Sequence, residues 1–452
     1  MDKTKLLTIT AIAILAISAI GAGIYVLNNH SPARNPRALL SDSLEVYGNA
    51  NGDWTINDDD IRYVEQIIRG DVKESKFADS NQDGKIDSKD IEQIKALSNG
   101  TAKFVYVIDG LGDLVKVNCS PERIYALQLQ NAEIAAIMGV GKNVVAGGPP
   151  VEHYADFLLP GQKESMTYVW ENWEIIAELN VDMYMAFGAS QKATPAEKLP
   201  GVDVIYMGLY EPITESLEKS LYGQGILKMG YIFNCKERAE GYLGFLIDIR
   251  DRIQVITSTI PENERVNVLT SGYSNYFMNE NTKTITVYLE ADTTTQAAAL
   301  AGARNVAESL PNWSGASYST TANLEWLDAI SVDWITLHYN YYDPWGVSTT
   351  TPPGGYTIKD SSEMYKTLTD VATRPMLENI DKDQIMLLPQ EFRNGSHGGI
   401  ILAAYLAKAF YPEYFKDFDP DEYMKEYLTE WLGIENYDFE EYDAFIAYGK
   451  KK

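Results

Sequence analysis

Asp79, Asn81, Asp83, Asp87 and Asp90 fall at positions 1, 3, 5, 9 and 12 of one twelve-residue run, with Gly84 at position 6 and Lys85 at position 7. A hard divalent cation takes roughly six to eight oxygens, and side chains at those positions plus the carbonyl of position 7 supply such a shell. Position 6 needs a left-handed turn, which glycine adopts without steric cost. The run is therefore expected to hold calcium through the side chains of Asp79, Asn81, Asp83, Asp87 and Asp90 and the carbonyl of Lys85. Thirty residues earlier the spacing recurs in Asn49, Asn51, Asp53, Thr55, Asn57 and Asp60, now with two carboxylates and with Trp54 at position 6. A weaker calcium site is expected there.

Catalytic chemistries find no comparable footing. The chain has no GxSxG elbow, no GxxxxGKS/T loop and no HExxH helix, so it is read as a non-enzyme. Two cysteines, Cys119 and Cys235, and four histidines, His30, His153, His338 and His397, are too scattered for a zinc centre. The thiols either form one disulfide in an exported chain or stay buried and free. Sixty-four acidic against 38 basic residues give a formal charge of -26, which repels phosphate backbones and excludes nucleic acid as a partner. The same charge reads either as a solvated acidic surface or as a field favouring cations and cationic partners.

These residues need a frame of more than one domain, because 452 residues exceed what one core usually supports and 45% hydrophobic content is a globular value. Lys3 and Lys5 precede an uncharged run from Leu6 to Leu27, long enough to cross a bilayer. Residues 1–28 are thus read as a signal peptide or a membrane anchor that exports everything after it. A polar stretch with Pro32 and Pro36 makes 29–45 a linker. Residues 46–100 hold both oxygen-rich loops, each followed by one amphipathic helix, and form a small all-helical module. Lys103 to Asn118 reads as a hairpin. Short apolar runs (RIYALQL, NVVAG, VDMYMAF, DVIYMG) then alternate with helical stretches up to residue 235. A long helical pattern fills 236–259, and RVNVLTS, TITVYL, DWITLHY and QIMLLP resume the alternation over 260–452. The pattern is that of two α/β lobes, 101–235 and 260–452, joined by one helix.

Both loops end in aspartate and lack a preceding helix of ordinary length, so residues 46–100 resemble a type I dockerin. That resemblance implies a cohesin-like partner met through loop positions 10 and 11, here Asp58, Asp59, Ser88 and Lys89 where small hydroxyls are usual. The other reading is a calcium-folded spacer between membrane and receptor. Residues 101–433 resemble the iron-siderophore and cobalamin class of periplasmic binding proteins along IDGLGDLVKV, PERIYALQLQNAEIAAIMGVGKNVVAGG, NWEIIAELNVDMYMA, ALAGARNVAE and GGIILAAYLAKAFYPEYFKDFDPDEYMKEYL. The family fold is two Rossmann-like lobes on one long helix, the class III arrangement, with ligand held in the cleft. The resemblance implies an extracytoplasmic receptor that hands a siderophore, corrinoid or haem to a dimeric ABC permease. A cell-surface scaffold built on the dockerin-like module is the alternative. The receptor part, from residue 101, is expected to bind its chelate without the first 100 residues.

Chelate pockets need flat apolar walls, so aromatic residues after strands are candidates: Trp170 and Tyr210 in the first lobe, and Tyr273, Tyr276, Tyr339, Tyr341, Tyr342 and Trp345 in the second. Arg393 and His397, in EFRNGSHGG, stand where the family often places an arginine facing the ligand, suited to a carboxylate, phosphate or propionate. His397 reads equally as a helix-terminus hydrogen-bonding residue. An internal echo relates Asn172-Trp173-Glu174 to Asn323-Leu324-Glu325. In the resembling family each lobe presents one glutamate to the permease, and Glu174 and Glu325 match those positions. The bland alternative is a negative charge in the first turn of each helix.

Overall fold

The structure, a computed structural model, describes residues 39–210, 212–272, 278–279, 283–313, 317–338, 356, 382–435, 437 and 447–448. The expected export segment 1–28 lies outside them. Among the described residues no helix is long and apolar enough to cross a membrane.

The first two helices, α1 (Asp58–Arg69) and α2 (Ser88–Ser98), start from capping boxes. Asn57 and Asp87 accept from the backbone two residues on, while Asp60 and Asp90 each accept from the cap residue's own N–H at 2.9 Å. The last acid of each oxygen-rich loop therefore also starts a helix. A hairpin follows, β1 (Phe104–Ile108) against β2 (Leu114–Asn118), antiparallel.

The first lobe runs β3 (Ile124–Ala126), α3 (Leu129–Ile137), β4 (Val144–Gly147), α4 (Pro149–Leu158), β5 (Thr167–Tyr168), α5 (Trp173–Glu178), β6 (Met183–Met185), α6 (Ala193–Lys198) and β7 (Asp203–Ile205). Its strands form a wholly parallel sheet in the order β5-β4-β3-β6-β7. β3 and β6 are buried along their whole length, which is why they read as unbroken apolar runs. Helix α7 (Leu221–Ile232) leads to α8 (Lys236–Thr257), the 22-residue connection between lobes. Its buried residues, Ala239, Tyr242, Leu243, Leu246, Ile249 and Ile253, recur every three or four positions and keep one stripe of the helix in the core.

The second lobe comprises β8 (Asn267–Gly272), β9 (Met278–Asn279), β10 (Thr284–Tyr288), α9 (Thr293–Leu300), β11 (Arg304–Asn305), β12 (Ser319–Asn323), α10 (Leu324–Ala329), β13 (Trp334–His338), β14 (Ile385–Leu388), α11 (Gln390–Asn394), α12 (Ile400–Phe410), α13 (Pro420–Glu426) and β15 (Ala447–Tyr448). Its sheet is mixed. β8, β13 and β14 are parallel, as the apolar runs suggest, but β10 pairs antiparallel with β8 and β12, and β15 antiparallel with β14.

Two expectations are corrected. The linker does not extend to residue 45: Leu44 is fully buried, Glu45 accepts an ion pair from Lys228 at 3.2 Å, and Gln224 bridges Ser43 and Glu45. The small module expected over 46–100 also shares its core with its neighbours. Leu44, Val46, Ala50, Ile56, Val64, Ile94 and Leu97 belong to one apolar core with the first lobe and α8. The Tyr231 hydroxyl accepts from Ile56 N at 2.7 Å, Lys236 donates to Ile56 O at 2.8 Å, and Thr55 donates to Glu240 at 2.5 Å. Cys119 and Cys235 are free thiols, which burial pushes up to about 12 and about 11.

Candidate functional site

The two oxygen-rich loops share a hydrogen-bond scheme dictated by their spacing. In each, position 3 accepts from the N–H of position 5, position 5 accepts from position 7, and position 12 accepts from position 3. They part at positions 1 and 6. Asp79 accepts from Asp83 N at 3.2 Å and Gly84 N at 3.0 Å, and Gly84 takes the left-handed turn at φ +83°. Asn49 instead donates to the Leu44 and Asp53 carbonyls, both at 2.8 Å, leaving its Oδ1 buried without a partner. Trp54 takes no left-handed turn, and its side chain packs against the core. Burial pushes the Asp60 carboxyl up to about 6 and shifts Asp90 in the same direction. Among the described residues no three His, Cys, Asp or Glu side chains are grouped so as to hold a metal ion. The loop acids are turned to backbone N–H groups, and calcium binding would draw equally on Asn81 and the Lys85 carbonyl. Asp58, Asp59, Ser88 and Lys89 are all exposed.

The second candidate site lies where the lobes face each other. Trp170, Phe187 and Tyr210 follow β5, β6 and β7, at the C-terminal edge of the first sheet. Trp170 lies against Gly148, where an added Cβ would meet the ring at 2.9 Å and the Leu127 carbonyl at 2.3 Å, so only glycine fits. Tyr210 packs on Phe187 with ring centroids 4.7 Å apart and stacks on Tyr318 of the second lobe at 5.9 Å and 23°. From the second lobe Arg393 sets its guanidinium 5.6 Å from the Tyr210 ring and 4.7 Å from the Tyr288 ring. Arg393 Nε and Nη2 both donate to Asp292 Oδ2, at 2.9 and 2.6 Å, and Asp292 is fully buried as the N-cap of α9. Burial opposes the charge of Arg393, but Asp292 and the two phenols outweigh it, and the guanidinium stays charged. His338, ending β13, meets the Tyr288 hydroxyl at 3.3 Å through Nδ1. Burial first, then Arg393, pull its pKa far down, so the imidazole is neutral.

His397 does not face this cleft. It is fully buried between Phe392 and Tyr427, and burial holds its pKa near about 3. Its neighbourhood is a polar knot at the lobe junction: Ser396 N donates to Glu133 of α3 at 2.5 Å, and Tyr242 donates to the Ser396 carbonyl at 2.9 Å. Burial, reinforced by Glu391, pushes Glu133 up to about 8. Tyr273, Tyr276, Tyr339, Tyr341, Tyr342 and Trp345 lie outside the described residues. Sequence reasoning missed Phe187, Tyr288, Asp292, Tyr318 and His338. Phe187 obeys the same after-a-strand rule that found Tyr210, and Asp292 was legible as an N-cap before TTTQAAAL; Tyr318 precedes a polar strand and carries no signal.

Glu174 and Glu325 occupy equivalent places. Each is exposed in the first turn of a six-residue helix, capped by Asn172 accepting from Ile175 N and by Asn323 accepting from Trp326 N.

No family model matches the chain, and no curated protein matches it. Solved structures do. A TroA-like periplasmic binding protein from Veillonella parvula is 19% identical with a TM-score of 0.56, over 76% of this chain and 99% of its own. The chain has the fold of the TroA-like periplasmic binding proteins. Helicobacter pylori CeuE, solved as a nickel–histidine complex, gives 14% identity and 0.53, over 75% and 98%. The molybdate periplasmic binding protein MolA of Haemophilus influenzae gives 17% and 0.52, over 73% and 98%. Nearly the whole of each TroA-like protein is matched, while about a quarter of this chain has no counterpart in it.

Proposed function

We propose that the chain is the extracytoplasmic substrate-binding protein of an ABC importer, capturing a metal chelate such as a ferric siderophore, a corrinoid or haem. The observation that carries this reading is the aromatic junction of two α/β lobes, with Phe187 and Tyr210 on one side and Tyr288, Tyr318 and Arg393 on the other. Aromatic rings gathered at facing strand ends suit a large, rigid ligand held between lobes on one stiff helix. The TroA-like fold supports the assignment, since the named relatives bind metal complexes or oxyanions.

Calcium belongs in the loop 79–90. The donor set is hard oxygen, Gly84 already makes the required turn, and a dication would relieve the upward shift that burial imposes on Asp90. The ion would stiffen the loop between α1 and α2 without touching the cleft. An adaptor role for the module is less favoured, because its core is shared with the first lobe.

Fluorescence titration of the full chain with ferric hydroxamates, corrinoids and haem tests the proposal. Saturable quenching of the tryptophans at micromolar or lower concentration is expected for one of these classes; no response from any of them defeats it.

A further inference from the structure

Resting on the chelate-capture reading, we propose that the ligand this cleft selects carries no net negative charge, and that Asp292 enforces the choice by neutralising Arg393. An arginine beside aromatic rings ordinarily advertises an anion site. Here both donors on one edge of the guanidinium are committed to a single carboxylate oxygen that is fully buried. An incoming carboxylate or propionate would find a positive group already matched at 2.6 Å and a second negative charge behind it. At that separation the repulsion from Asp292 cancels most of the attraction from Arg393.

The surroundings agree. His338 is neutral, so it adds no positive charge. Tyr210 stacks on Tyr318 and Tyr288 is fully buried against Arg393, so these rings put no charge of their own beside the guanidinium. The whole molecule carries a formal charge of -26, a field that slows the approach of anions and leaves neutral complexes unaffected. Held by Asp292, Arg393 works as a positioning residue. It contacts Tyr210 and Tyr288 from opposite lobes, and so holds together the floor of the cleft that a neutral chelate would meet.

The test uses the full chain, tryptophan fluorescence and four probes of stated charge. Two are neutral, a ferric trihydroxamate and a cyano-corrinoid; two are anionic, a ferric tris-catecholate and ferric haem with its propionates. At least one neutral probe should bind about tenfold or more tighter than either anionic one. Asp292→Asn keeps an acceptor for the Thr294 N–H that starts α9 and frees the charge of Arg393. It should move the anionic-to-neutral preference about tenfold or more towards the anions, and Asp292→Asn with Arg393→Gln should move it back. A wild-type preference for the anionic probes overturns the charge selection while leaving chelate capture standing. An unchanged preference in Asp292→Asn, with melting showing the variant folded, overturns the role of Asp292. Silence from all four probes defeats the capture reading beneath the inference, and the inference with it.

Discussion

Glu133 shows what burial does to one carboxyl at the lobe junction. It sits on α3 facing Ser396, Tyr427 and Glu391, and its pKa is raised to about 8 from the ordinary 4.5. A raised acid favours the folded state in its protonated form, so this contribution is intact below about pH 4.5 and is lost as pH climbs towards 8. Glu133→Gln keeps an acceptor for Ser396 N and removes the titration. Its unfolding free energy should exceed the parent's by about 1 to 3 kcal/mol near pH 8, with the difference vanishing near pH 4; denaturant curves at both pH values check this. The oxygen-rich loops permit an equally direct test. Asp79→Ala should abolish the tighter of the two unequal calcium steps proposed, read in calorimetry, since position 1 of such a loop supplies a direct ligand. The weaker step should fade as pH falls through about 6, where Asp60 protonates. These loops were legible because every proposed ligand lies within twelve residues. Arg393 was legible only as a residue type, because the partner that sets its chemistry lies 101 positions away in sequence.

At the scale of elements, the chain announces what is periodic and hides what is polar. The connecting helix was readable from its three-to-four spacing, and β3, β6, β8, β13 and β14 from continuous apolar runs. β12, SerThrThrAlaAsn, was not, because an edge strand with one buried residue has no apolar pattern to show. The antiparallel turn of β10 was likewise invisible, as its alternation is the same in either direction. The repeat in the module was plain, but its attachment was not: Ile56 and Val46 look like internal core residues whether their neighbours are local or distant. Removing residues 1–100 should therefore expose the apolar face of α7, α8 and the hairpin. The truncated protein should aggregate or melt well below the full chain in differential scanning fluorimetry, where an independent bead would leave the melting point unchanged. Tyr231→Phe, which strips the acceptor from Ile56 N, should cost about 1 to 3 kcal/mol in the intact chain.

For the whole molecule, the two lobes, the acidic surface and the internal echo meet in Glu174 and Glu325. The echo from Asn172 to Asn323 places one exposed glutamate in the first turn of an equivalent helix in each lobe. On the importer reading proposed above, one acid per lobe suits a permease of two identical subunits, each offering a basic pocket. Such anchors set orientation and speed encounter through long-range charge, and neither needs to touch the ligand. Glu174→Ala and Glu325→Ala should each lower permease-stimulated ATPase activity several-fold at low salt, and the double variant further still. Raising the salt should narrow the gap, because the Debye length shrinks to about 8 Å at physiological ionic strength. The competing account is that each glutamate merely offsets its helix dipole, worth about 0.3 to 1 kcal/mol. On that account both variants melt slightly earlier and stimulate the permease as the parent does. Chelate affinity separates the two cleanly from a defect in the cleft: it should match the parent in every docking variant, and a loss there would move Glu174 or Glu325 out of the docking role and into ligand binding.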